Sequence, residues 1–193
     1  PEMLWPYFLP AQITFGILLA LFVAAVIIAR KNRKAGTIAF DGCVISLLAF
    51  IPCCMGVQAL IDPYRFGVFE YPSHDVIGDA RVKRNMPEVA TGIIVDQGIG
   101  SFRARYTVDQ KSVEEWFERQ WALHGGTSRT QRLPNATLSE PDREYHNEDF
   151  SVLGVSIPAN AVVYEGPRQP NGRGFSLYYG QANSTAYQFM GYW

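Results

Sequence analysis

Two long apolar runs fill the first third of the chain, and a finer alternation of apolar and polar positions organises the rest. From Ala11 to Ala29 there is no charged side chain. A helix of that length crosses a hydrocarbon core of about 30 Å. The second run, Ile38 to Ile61, has similar reach and one charge, Asp41, with Pro52 and Gln58 as further interruptions. Polar atoms at such depth must find partners in protein or at the interface. The pattern predicts a two-helix transmembrane hairpin with spans at 9–29 and 38–61, joined by a loop over 30–37.

That loop holds Arg30, Lys31, Arg33 and Lys34. Short loops rich in Lys and Arg stay cytoplasmic, so both termini are expected on the far, extracytoplasmic side. A cleavable leader would carry positive charge ahead of a shorter apolar core. Here the early charge is Glu2 and the cations follow the run, so the first helix is expected to be retained. Asp41 is expected at the cytoplasmic end of the second span, paired with Lys34 or Arg33.

Beyond the hairpin, Tyr64-Arg-Phe-Gly-Val-Phe-Glu-Tyr71 is rich in aromatic residues and reads as a first strand or an interfacial collar. It belongs to a juxtamembrane connector, 62–90, ahead of a water-facing domain, 91–193. Within that domain Thr91–Val95 reads as a strand, 96–100 as a turn, and Ser101–Val108 alternates strictly. Phe102, Ala104, Tyr106 and Val108 fall on one face, and Ser101, Arg103, Arg105 and Thr107 on a basic outer face. Ser112 with Glu115 forms a capping-box signature for a helix that Gly125-Gly126 ends. Val113, Trp116, Phe117, Gln120 and Trp121 give its apolar stripe, read as the face packed on a sheet. The polar stretch from Thr127 to Asp149 contains Pro134, Asn135, Ser139, Pro141 and Asn147 and reads as loop. Strands follow at 161–165, 174–179 and 185–193, the last two joined around Asn183-Ser184. The domain is expected to be α+β: an antiparallel sheet covered on one face by one main helix.

Composition agrees with this partition. The 193 residues are 48% hydrophobic and 18% charged, where a soluble domain carries about a quarter charged; the deficit lies in the two apolar runs. A net charge of -1 supplies no concentrated basic face for nucleic acid. Cys43, Cys53 and Cys54 all lie in the second run, which leaves the exported part without a disulfide framework. They read as small packing residues. His74, His124 and His146 lie outside the runs, so neither span offers an axial imidazole for a haem or similar pigment. Packing beside pigments or lipids held by neighbouring chains stays open to them.

Candidate chemistry is sparse. Glu144-Tyr-His-Asn-Glu-Asp149 is the densest ionisable cluster, and His74-Asp75 could add ligands, but no H-E-x-x-H or paired-cysteine spacing accompanies them. G-x-S-x-G is absent, and Gly98-Ile-Gly100 lacks the third glycine and the following helix of a dinucleotide loop. Asn135-Ala-Thr137 and Asn183-Ser-Thr185 are glycosylation acceptors only in a eukaryotic secretory host. No catalytic, metal or cofactor site is therefore expected. Candidate interface residues are Trp5, Tyr7 and Phe8 as an aromatic belt, Gly16 and Gly56 as close-packing points, and Tyr64, Phe66 and Phe69 outside the membrane.

The stretch Pro87-Glu-Val-Ala-Thr-Gly-Ile93, the alternating strand and the Glu-Glu-Trp-Phe helix resemble small anchored ectodomains of bacteria. The resemblance carries no activity; a bacterial inner membrane is the expected location, with both termini on the periplasmic side as the loop charges indicate. The expectation is a non-catalytic accessory subunit of a larger membrane assembly, photosynthetic or respiratory, whose partners are other membrane subunits and the lipid bilayer. Nothing in the residues selects that host. The alternatives are an anchored ligand sensor or assembly factor, and a membrane-tethered metal-dependent enzyme using the His146 cluster.

Overall fold

A computed structural model describes residues 5–29 and 35–192, with side chains described over 8–28 and 40–192. The chain divides into two compact units, Pro1–Tyr64 and Arg65–Trp193.

The first unit holds α1 (Trp5–Ala29) and α2 (Ala35–Ile61). Their 25 and 27 residues correspond to lengths of about 37 and 40 Å at 1.5 Å per residue. Both helices are long and apolar enough to cross a membrane, over Phe8–Ile28 and Phe40–Tyr64. Large apolar side chains point outward on both, with Phe15, Ile28, Leu47 and Leu48 all exposed. Asp41 is exposed, and the loop cations expected to pair with it lie outside the described residues.

The second unit is a seven-stranded sheet in the order β1-β2-β3-β7-β6-β5-β4, and every neighbouring pair is antiparallel. Its strands are β1 (Gly67–Ser73), β2 (Thr91–Gln97), β3 (Ser101–Thr107), β4 (Ala136–Thr137), β5 (Val162–Glu165), β6 (Gly174–Gly180) and β7 (Thr185–Gly191). The helices are α3 (Ala80–Arg84), α4 (Gln110–His124) and α5 (Glu140–Phe150). Of the two readings of the aromatic stretch after the hairpin, the strand holds: β1 pairs with β2 at the edge of the sheet. A register shift between Thr91 and Ile94 surrounds Gly92, whose φ of 55° suits a bulge.

Three expectations are corrected. The sheet is covered on both faces in its centre. On β6, Phe175, Leu177 and Tyr179 join the core under α3 and α4, while Tyr178 points the other way, into a second core with Phe150, Leu153, Ile157 and Tyr187. Period-two alternation sends neighbours to opposite faces, and all seven β6 residues are buried because each face has its own cover. That second cover is α5, the element missed in the stretch read as loop. Ser139 caps it, Pro141 sits in its first turn beside Glu140 and Asp142, and Phe150 anchors its end. Proline and serine read as breakers are here the start signal of a helix. Finally, the N-cap of α4 is Asp109, not Ser112: Asp109 Oδ1 accepts from Ser112 N at 2.9 Å and Oδ2 from Ser112 Oγ at 2.7 Å.

The stripe of α4 does face the sheet. Val113, Trp116 and Phe117 are buried, with Trp116 4.7 Å from the ring of Phe175 and Phe117 edge-on to Tyr164 at 5.3 Å. Trp121 is half-buried at the margin, its Nε1 donating to the Glu165 carbonyl at 3.3 Å.

Candidate functional site

On the α3–α4 side of the second unit lies a cleft of about 640 Å³. Its wall begins with α3, which is short and held by side chains. Asp79 caps it, accepting from Arg81 N at 2.8 Å and pairing with the Arg81 guanidinium at 2.7 Å. Arg81 also donates to the Ile99 carbonyl at 3.0 Å and lies over the Tyr192 ring. With Arg81 turned inward, Lys83 and Arg84 line the cleft.

Asn85, almost fully buried, forms the floor. Its Nδ2 donates to the Arg81 carbonyl at 2.8 Å, and its own carbonyl accepts from Gln188 Nε2 at 2.8 Å. Gln188, fully buried in β7, accepts in turn from Tyr106 Oη at 2.8 Å. This chain of bonds ties the cleft floor to the centre of the sheet. From the loop before β6, Arg173 donates to Asn85 Oδ1 at 3.4 Å. The opposite wall is the C-terminal half of α4, with Arg119, Gln120, Leu123 and His124.

The electrostatics are one-sided. Among the described residues, Lys83, Arg84, Arg119 and Arg173 line the cleft together with one carboxylate, Glu88. That carboxylate is 3.7 Å from Arg119. Lys83 Nζ donates to a backbone carbonyl, that of Asp75, at 2.7 Å. The pKa of His124 is lowered, first by its partial burial and then by repulsion from Arg173 and Arg84. His74 is buried behind α3 with Nε2 2.7 Å from the Lys83 carbonyl, which fixes the ring against the helix end.

The residues singled out from the sequence fall elsewhere. His146 and Asp149 lie on α5, with Nδ1 3.8 Å from Oδ2, and Asp149 also meets Arg103 at 3.4 Å. His146 packs against Tyr178 at the edge of a smaller cleft of about 250 Å³ shared with Ser139, Asp142 and Glu165. His74 lines the larger cleft instead, so the two histidine clusters do not combine. Among the described residues, no group of three or more His, Cys, Asp or Glu side chains is placed to hold a metal.

Of the candidate interface residues, Phe8 is exposed on α1, and Gly16 and Gly56 have open space where a side chain would stand. Tyr64 is 83% exposed. Phe66 is half-buried beneath the Arg65 guanidinium, and Phe69 packs against the core and stacks with Tyr71. The side chains of Trp5 and Tyr7 lie outside the described residues. The sequence reading left Arg81-Val-Lys-Arg84 inside the juxtamembrane connector, 62–90. It had no means to bring Arg119 and Arg173 beside it, because strand order, not proximity in sequence, does so. The chain matches no family model, no curated protein and no solved structure.

Proposed function

We propose that this chain is a non-catalytic accessory subunit of a membrane assembly, anchored by α1 and α2 and presenting the sheet domain outside the cytoplasm. The observation that carries the reading is the apolar cleft of about 270 Å³ between the two helices, lined by Phe15, Leu18, Phe22, Leu47 and Phe50. Large apolar side chains elsewhere on α2, such as Leu48 and Phe40, are also exposed. In water such a surface is a liability. In a bilayer it is an ordinary lipid face, and a groove with small residues nearby accepts a neighbouring helix. Gly16 and Gly56, where an added Cβ would meet nothing within 4 Å, suit close approach of such a neighbour. The cations at 30–34 orient the hairpin with its loop inside and both termini outside.

The test is extraction of the full chain from its membranes in mild detergent, with mass spectrometry of the chains that co-purify. A stoichiometric membrane partner, weakened by Gly16→Leu or Gly56→Leu, supports the reading. A chain that runs alone, with both variants indistinguishable from wild type, refutes it. For orientation, Asn32→Cys should resist an impermeant thiol reagent in intact cells, while Ser139→Cys should react. The opposite labelling would invert the hairpin.

A further inference from the structure

We propose that the cleft between α3 and α4 binds a small organic phosphate, a ligand with a dianionic head and an apolar body. This goes beyond the accessory role and stands on the second unit alone. Three independent features carry it.

The first is uncompensated charge. Lys83 and Arg173 line the cleft, and among the described residues neither is paired with a carboxylate: Lys83 bonds a carbonyl and Arg173 a carboxamide. Among the described residues of the lining, the carboxylate is Glu88, which stands beside Arg119. A dianion entering between these cations would satisfy donors that otherwise repel each other, and charge-assisted hydrogen bonds are the strong ones.

A second feature is Gln120. It is only 7% exposed overall and lines the cleft, where its amide is left to the solvent. An amide in the lining of a basic cleft is a neutral donor that a phosphate oxygen can use.

Shape and lining complete the argument. At about 640 Å³ the cleft is of small-molecule size, within the roughly 300–1,000 Å³ of ordinary ligand sites. Trp116, Met86 and Leu123 give it an apolar side against which a non-polar body can lie. Asn85 fixes Arg173 from below, so the guanidinium is oriented before any ligand arrives.

The experiment titrates the full chain, in a non-ionic detergent that offers no competing lipid phosphate, with phenyl phosphate by isothermal calorimetry. Phenol serves as the uncharged control. Saturable binding of phenyl phosphate with Kd below about 1 mM is expected. Lys83→Gln and Arg173→Gln should each weaken it about tenfold, and Gln120→Leu should weaken it as well. Lys111→Gln, on the exposed face of α4, should leave it unchanged. If Arg173→Gln loses its near-UV circular dichroism, Lys83→Gln decides, since Lys83 bonds only a surface carbonyl. Absence of saturation up to roughly 10 mM, equal binding of phenol, or wild-type affinity in Lys83→Gln would each overturn the proposal.

Discussion

Replacing Gln188 by Leu tests whether the buried bonds under the cleft act as a linked chain. Gln188 is fully buried and holds two partners: it accepts from Tyr106 Oη at 2.8 Å and donates to the Asn85 carbonyl at 2.8 Å. Leu nearly matches its volume, so the loss is of hydrogen bonds and not of packing. Tyr106 is itself fully buried, and desolvation raises its pKa well above the ordinary phenol value, so its hydroxyl stays neutral and must donate to something. Each buried group left without a partner costs about 1–3 kcal/mol. Gln188→Leu strands two of them, for a loss of about 2–6 kcal/mol. Tyr106→Phe strands only the Gln188 oxygen, for about 1–3 kcal/mol. The double variant removes the tyrosine hydroxyl together with its acceptor and leaves the Asn85 carbonyl as the one orphan. Adding Tyr106→Phe to Gln188→Leu should therefore restore stability, although the same change destabilises the wild type. Denaturant unfolding of the full chain in detergent, followed by near-UV circular dichroism, measures all four corners of the cycle. Strict additivity of the two single losses would refute the linked chain, because neighbours sharing a bond cannot add.

Other consequences are more local. A Cβ at Gly166 would lie 2.2 Å from Phe175 Cε1, inside the core, so Gly166→Ala should cost about 1–3 kcal/mol by overpacking, read as a lower unfolding midpoint; an unchanged midpoint would show that the ring moves freely. Trp116→Ala, at a buried position beside Phe175, should cost about 3–5 kcal/mol, and Trp121→Ala at the half-buried margin distinctly less. Asp109→Ala should destabilise α4 more than Ser112→Ala does, because the aspartate is the cap. Its pKa is lowered by the Ser112 hydrogen bonds, so this contribution is present above the unfolded carboxylate value and fades as pH falls through the folded one. The ring protons of His124 should titrate by NMR below the ordinary histidine value. Its folded pKa is lowered, so its contribution is complete above the unfolded value and is lost as pH falls and the unfolded chain takes up the proton first. A His124 midpoint above that of a free histidine would contradict a positive cleft.

Strength and length of pattern decided what could be read from the chain alone. The apolar runs over 11–29 and 38–61 exceed the length of an ordinary core helix, and helices spanning them follow from length and composition. The alternation of 101–108 fixed which β3 residues face the core, and the stripe of α4 fixed its inner side, since both periods are intrinsic to backbone geometry. Local grammar failed where one residue type serves two purposes. Ser139 and Pro141 end elements as readily as they begin one, and what made them a start was Phe150, at the far end of the helix, finding Tyr178 and Tyr187 on the sheet. The full burial of β6 was likewise hidden, because a strand covered on both faces has no polar side to announce it. The cleft belongs wholly to tertiary structure. Lys83, Arg119 and Arg173 meet because β7 pairs with both β3 and β6, bringing the loop before β6 beside α3 and α4. Sequence supplied the charges one at a time. Only sheet order, set by long-range strand pairing, put them around one cavity and left Gln120 facing it.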